Sequence, residues 1–298
     1  MVTASVALSG SVVAGAANLH GHPMATASVT SVSSPAPEPR GSTKTEAPAP
    51  ERESSLDLDL DQLLAAELTQ VAPDGHGRTS VAVMDLTTGD RAVFGGGRYD
   101  TASIVKVDIL AALLLQAQDA GRVITARERT QATQMIQNSD NEATTALWTA
   151  IGGAAGLDAA NQRLGLTDTT AGRNGNWGLT QTTTEDQLIL LKAVFGAESI
   201  LVPADRDFIE SLMESVAPGQ DWGVSAADSD AALKNGWLPR TATGLWDINS
   251  IGRVHVDGRE WLIAVLSDGN LTQADGIALV EAATQAVASV IHTIGSAS

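Results

Sequence analysis

Strand-type runs stand near both ends of residues 56 to 298, and helical runs fill the stretch between them. A helix over Leu56 to Val71 precedes two strands, Thr79 to Leu86 and Arg91 to Phe94, joined by the hairpin signal Thr87-Thr88-Gly89-Asp90. Helical patterns then run from Ser103 to about Met213. Strands return near Ala231 to Gly236, Leu245 to Val256 and Glu260 to Ser267, the last two joined by Asp257-Gly258, before a final helix from about Thr272 to Ile294. This order predicts a two-lobed α/β (α+β) chain. An antiparallel five-stranded sheet is built from the two ends and flanked by N- and C-terminal helices, with an all-helical lobe inserted. A cleft between the lobes is the natural place for a site.

The first 55 residues read differently. Residues 2 to 17 are weakly apolar and end in Ala14-Gly15-Ala16, a small-x-small pattern like that of a cleavage site, so residues 1–32 are expected to be a leader directing export. No basic residue precedes the run, and a disordered Ala/Ser tail is the other reading. Five of the ten prolines fall in residues 33–55, which read as an extended tether. Residues 56–298 are long enough for one two-lobed domain. No membrane span is expected after processing, and the expected product is a secreted or extracytoplasmic monomer.

Composition removes several function classes. A net charge of −17 repels phosphate backbones, so no nucleic-acid partner is expected. The absence of cysteine excludes thiol catalysis and thiolate metal sites. The five histidines are scattered, with neither a metal cluster nor a Ser-His-Asp arrangement among them; His255, in the alternating run RVHVDG, reads as a surface or edge residue. No metal and no organic cofactor is implied.

Lysine usage is more informative. Only Lys44, Lys106, Lys192 and Lys234 occur, against fourteen arginines. A guanidinium stays protonated in proteins, whereas a buried ammonium can lose roughly 3–5 units of pKa and become a base. Lys106 belongs to Ser103-Ile104-Val105-Lys106, which opens the most apolar helical run of the chain, residues 103 to 118. On a helix, positions i and i+3 share one face at about 5–6 Å between Cβ atoms, so hydroxyl and amine could meet as nucleophile and base. One such tetrad arises easily in a serine-rich chain. Two further motifs follow it in order: Ser139-Asp140-Asn141, and Lys234-Asn235-Gly236-Trp237. Taken singly, the first is ordinary turn chemistry and the second could be a hairpin turn.

Ser-x-x-Lys, Ser-Asp-Asn and Lys-Thr-Gly, in that order, are the signature of class A β-lactamases and penicillin-binding proteins. Residues 56 to 298 resemble that family. The resemblance implies a β-lactamase/transpeptidase-like fold and a serine hydrolase that opens β-lactam amides through an acyl-serine intermediate. It makes Ser103 the nucleophile, Lys106 its base, Ser139 the proton carrier to the departing nitrogen and Lys234 the charge that assists it. Asn141, Asn235, Gly236 and Trp237 would bind substrate, with the backbone N–H groups of Ser103 and Trp237 forming an oxyanion hole. Asp140 would hold the turn. Related serine enzymes with a Tyr-x-Asn second motif are excluded, because the one tyrosine, Tyr99, precedes Ser103 by four residues.

Two departures bear on activity. Class A enzymes carry an E-x-x-x-N loop whose glutamate activates the deacylating water, and no such pattern exists here. The matching stretch, Leu164 to Thr182, holds one carboxylate, Asp168; Asp168 and Glu142 are the candidate substitutes, each also readable as a turn or helix-start residue. Asn235 replaces the usual hydroxyl residue, though an amide can still donate a hydrogen bond. The stretch from Ser103 to Ser139 is short for the family, which implies a more open cleft. A D-Ala-D-Ala carboxypeptidase or slowly deacylating penicillin-binding protein acting on a peptidoglycan stem peptide is therefore the alternative. A non-catalytic cell-wall binding module of the same fold is the second.

Overall fold

The computed structural model describes residues 55–71 and 77–297. The expected leader and, but for Ser55, the expected tether lie outside the described residues. Helix α1 (Ser55–Val71) is followed by strands β1 (Arg78–Asp85) and β2 (Arg91–Phe94), and after the helical stretch come β5 (Ala232–Pro239), β6 (Trp246–Val256), β7 (Arg259–Asn270) and α8 (Gln273–Ala297). The five strands form one antiparallel sheet in the order β2-β1-β7-β6-β5, so the two chain ends meet at the β1–β7 pair. This is the expected sheet.

Alternation along each strand divides the core between two layers. Val81, Val83, Leu233, Ile263 and Val265 point toward α1 and α8, whereas Ala82, Met84, Ala232, Ala264 and Leu266 point toward the helical lobe. On α1 the residues Leu60, Leu64 and Leu68 recur every fourth position and are buried with Val280, Ala283, Val287 and Ile291 of α8. Helix α8 is long and apolar enough to cross a membrane, yet this face of it packs against the sheet. With layers on both sides, β6 is buried at nine of its eleven positions and lacks a solvent face. His255 is its exposed exception, held by Asp228, and it lies on an interior strand rather than an edge. The turn from β6 to β7 places Asp257 at φ 53° and Gly258 at φ 72°, the paired left-handed conformations of a tight hairpin.

Between β2 and β5 lie α2 (Val105–Asp119), α3 (Ala126–Gln137), α4 (Asn141–Ala150), α5 (Gly153–Leu164), α6 (Thr184–Phe195) and α7 (Pro203–Met213). Every residue of α2 from Val105 to Leu115 is buried, which is why its sequence carries no polar stripe. It is the axle of the lobe. A two-stranded ladder that the sequence did not announce, β3 (Tyr99–Asp100) with β4 (Gln181–Thr182), ties the segment before α2 to the loop before α6. Two residues per strand leave no periodicity to read.

Candidate active site

The helix carrying Lys106 does not begin at Ser103. Residues Ala102–Ile104 form a 3-10 turn that leads into α2, and Ala102 adopts φ 49°, a conformation that costs a non-glycine residue roughly 1–2 kcal/mol. The surroundings hold the turn in place. Asn249, buried at the middle of β6, donates from Nδ2 to Asp100 O (2.9 Å) and Thr101 O (3.1 Å), and Thr101 N donates to Thr180 O (2.8 Å). Strand β5 approaches so closely that a Cβ on Gly236 would lie 2.7 Å from Ser103 N and 2.8 Å from Thr101 O. Glycine is required there by contact, and the Lys-Asn-Gly motif is a strand segment rather than a turn.

Ser139 occupies the gap between α3 and α4, again in a left-handed conformation, φ 55°. Asp140 is the N-cap of α4, its carboxylate accepting from Ala143 N at 2.7 Å. Asp140→Ala is expected to cost about 1–2 kcal/mol of stability, measurable as a lower denaturant midpoint at unchanged slope.

The two site lysines converge on Ser139. Lys106 Nζ donates to Ser139 O (2.6 Å), Ser139 Oγ (3.0 Å) and Asn141 Oδ1 (2.9 Å), and Lys234 Nζ donates to Ser139 Oγ (3.1 Å) and Asn235 O (2.9 Å). Both side chains are fully buried. Burial lowers the Lys106 pKa to about 7, against a smaller opposing pull from Asp140. Burial likewise holds Lys234 well below its ordinary value, and repulsion from Lys106 adds to the effect. At neutral pH a substantial part of Lys106 is a free amine. Ser103 is half-buried, and the Lys106 amine is engaged by Ser139 and Asn141.

Ser103 opens onto a cleft of about 300 Å³ lined by Asn141, Trp177, Leu179, Trp237 and Leu238 among others. Trp177 belongs to a short 3-10 turn, Trp177–Leu179, in the loop before β4; its ring centroid lies 5.0 Å from Lys106 Nζ. That tryptophan was not singled out from the sequence, and its only signal is an aromatic residue in the Gly- and Asn-rich loop Arg173 to Gly178. Nor was Asn249, although Asn249-Ser250 sets two adjacent polar residues in the middle of the strand Trp246–Val256.

The structure brings Ser103, Lys106, Ser139, Asn141, Lys234, Gly236 and Trp237 together, and it separates the rest. Asn235 is a correction: its side chain points to the opposite face of β5, where Nδ2 donates to Gln220 O (2.9 Å) and Trp222 O (2.7 Å), leaving it 1% exposed and without a donor for substrate. Strand alternation imposes this once Lys234 faces the helical lobe. Asp168 is paired with Arg98 at 2.8 Å, and Glu142 lines a different groove with Arg127 and Thr149. Neither carboxylate lines the cleft at Ser103. Tyr99 is buried beneath the guanidinium of Arg78, and burial raises its pKa to about 12.

Comparison with known proteins adds the lineage. The model of the Beta-lactamase enzyme family matches residues 118–291, more than half of the chain. The chain belongs to the β-lactamase enzyme family. The match includes Ser139 and Lys234 and begins after Lys106, so the Ser103 tetrad is an observation separate from it. The curated relatives include "Putative lipoprotein LppW" of Mycobacterium tuberculosis and of Mycobacterium bovis, each 31% identical over 170 residues, covering 53% of this chain and 54% of the relative. The chain thus spans about half the length of the curated relatives it matches. Among solved structures, a class A β-lactamase of Bacteroides cellulosilyticus is similar at TM-score 0.68 and 18% identity, covering 78% of this chain and 99% of that one. PBP-A is similar at TM-score 0.67 and 21% identity, covering 78% and 96%. These likenesses establish the fold of the β-lactamase and penicillin-binding enzymes.

Proposed function

We propose that this family member is an extracytoplasmic serine enzyme that is acylated at Ser103 by amide substrates of the β-lactam or peptidoglycan stem-peptide class and releases the acyl group slowly. The observation that carries this reading is Ser139 Oγ held between two buried lysines, at 3.0 Å from Lys106 and 3.1 Å from Lys234, while Asn141, which Lys106 also contacts, lines the same cleft as Ser103. Lys106 takes the Ser103 proton as Oγ attacks the carbonyl carbon. The resulting oxyanion is stabilised by the backbone N–H groups of Ser103 and Trp237. As the C–N bond breaks, Ser139 passes its proton to the departing nitrogen and is resupplied from Lys106, with Lys234 favouring the transfer. Asn141, whose oxygen is engaged by Lys106, keeps its NH2 for the substrate's amide.

Slow release follows from the cleft, which offers no carboxylate among its lining residues to activate water. This favours the penicillin-binding reading over an efficient lactamase. Burying two amines of lowered basicity costs stability, a cost that chemistry explains and a passive binding module would not. The lipoprotein named among the relatives supports an extracytoplasmic setting.

The test mixes the protein with a penicillin and with a chromogenic cephalosporin, following colour and intact mass together. The expected result is about one equivalent of colour and a persistent one-acyl mass increase, both absent in Ser103→Ala. Sustained turnover returns the lactamase reading. No adduct and no turnover with wild type, on lactams and on a D-Ala-D-Ala peptide alike, removes the enzyme reading.

A further inference from the structure

We infer that Trp177 is a positioning residue that roofs Lys106 and bars water from it, so that the acyl group on Ser103 is retained. This rests on the proposed acylation of Ser103. Lys106 is the base that the proposed acylation uses, and hydrolysis of the ester would use it again: water attacks the acyl carbonyl carbon, its proton passes to Lys106 Nζ, the C–Oγ bond breaks and Ser103 Oγ recovers a proton. The amine has little surface to offer. Ser139 O, Ser139 Oγ and Asn141 Oδ1 crowd it within 3.0 Å, and the indole ring stands over it at 5.0 Å. Both Trp177 and Ser103 line the same cleft, so the ring stands on the route a water would take to both groups.

The roof is fixed at several points. Trp177 Nε1 donates to Thr145 Oγ1 on α4 (3.3 Å), and Trp177 O accepts from both Thr180 N (3.1 Å) and Thr180 Oγ1 (2.7 Å). Thr180 in turn accepts from Thr101 N, next to Ala102 and Ser103. A Cβ on Gly172 would lie 2.0 Å from Asn176 O, so the two sides of the loop are in direct contact. The ring is therefore tied to the helix after Ser139 and, through Thr180, to the turn that carries Ser103. Removing it opens the approach without touching a group that transfers a proton.

The experiment acylates the full chain with a penicillin, removes the excess, and follows the loss of the adduct by intact mass in wild type, Trp177→Ala, Trp177→Met and Trp177→Phe, each checked for folding by its thermal melt. Trp177→Ala is expected to shorten the adduct lifetime by about tenfold or more while changing the acylation rate far less, Trp177→Met to fall between, and Trp177→Phe to keep the wild-type lifetime. A purely structural role would lower both rates together and would not be rescued by a ring. Equal adduct lifetimes in the alanine, methionine and wild-type proteins overturn the inference. Absence of an adduct in wild type overturns the Ser103 reading itself, and this one with it.

Discussion

Lys106→Met is expected to slow acylation at pH 7 by about 10²- to 10⁴-fold, the usual contribution of a positioned general base. The wild-type acylation rate should rise with pH through about 7, because burial places the Lys106 pKa there and only the free amine accepts the Ser103 proton. In the variant that limb should vanish. Stability should rise with pH as well, over a higher range. Between about 7 and 10.5 the unfolded chain binds a proton at this position that the folded chain does not, so this group makes the folded state gain stability as pH rises. The penalty is fully present below about pH 7. Thermal melts of wild type and Lys106→Met should therefore diverge in the variant's favour as pH falls from 10 to 7. A rate without a limb near 7 in wild type, or a constant difference between the melts, contradicts the assignment of a buried, weakly basic Lys106.

Gly236→Ala carries the second large effect, from sterics alone. The new Cβ would meet Ser103 N at 2.7 Å, Thr101 O at 2.8 Å and Ile104 N at 2.9 Å, all backbone atoms that cannot rotate away. Overpacking of this kind costs about 1–3 kcal/mol, or a Tm lower by roughly 2–12 °C for a domain of this size. The displaced atoms include the nucleophile's own amide, and a shift of about 1 Å at such a group costs about 100-fold in rate. Activity should thus fall further than stability. Acylation kinetics on the folded variant, beside its melt, separate the two; full activity in a folded Gly236→Ala would mean that β5 does not press on the Ser103 turn as described.

What could be read beforehand, and what could not, divides along physical lines. Terminal helices were legible because burial on one face leaves a period in the residues, and Asp257-Gly258 announced its hairpin, and with it the two strands it joins, by backbone chemistry. Lys106 and Lys234 stood out because ammonium groups are scarce in this chain and costly to bury. Asn235 was misplaced for want of strand parity: it falls in the strand expected near Ala231 to Gly236, but one residue of alternation decides whether a side chain faces the lobe or the loop at Gln220 to Trp222. Trp177 and Asn249 were invisible for another reason. Their roles come from contacts across 71 and 148 positions of sequence, with Lys106 and Thr101, and no local pattern encodes such a meeting.

The most direct test of the account is to locate the adduct. The protein is treated with a penicillin, digested, and its peptides sequenced by mass spectrometry. One acyl group is expected on Ser103, within the peptide that also carries Lys106, and none on Ser139. An adduct on Ser139 or any other residue, or an unmodified Ser103 in protein that has visibly consumed the drug, contradicts it.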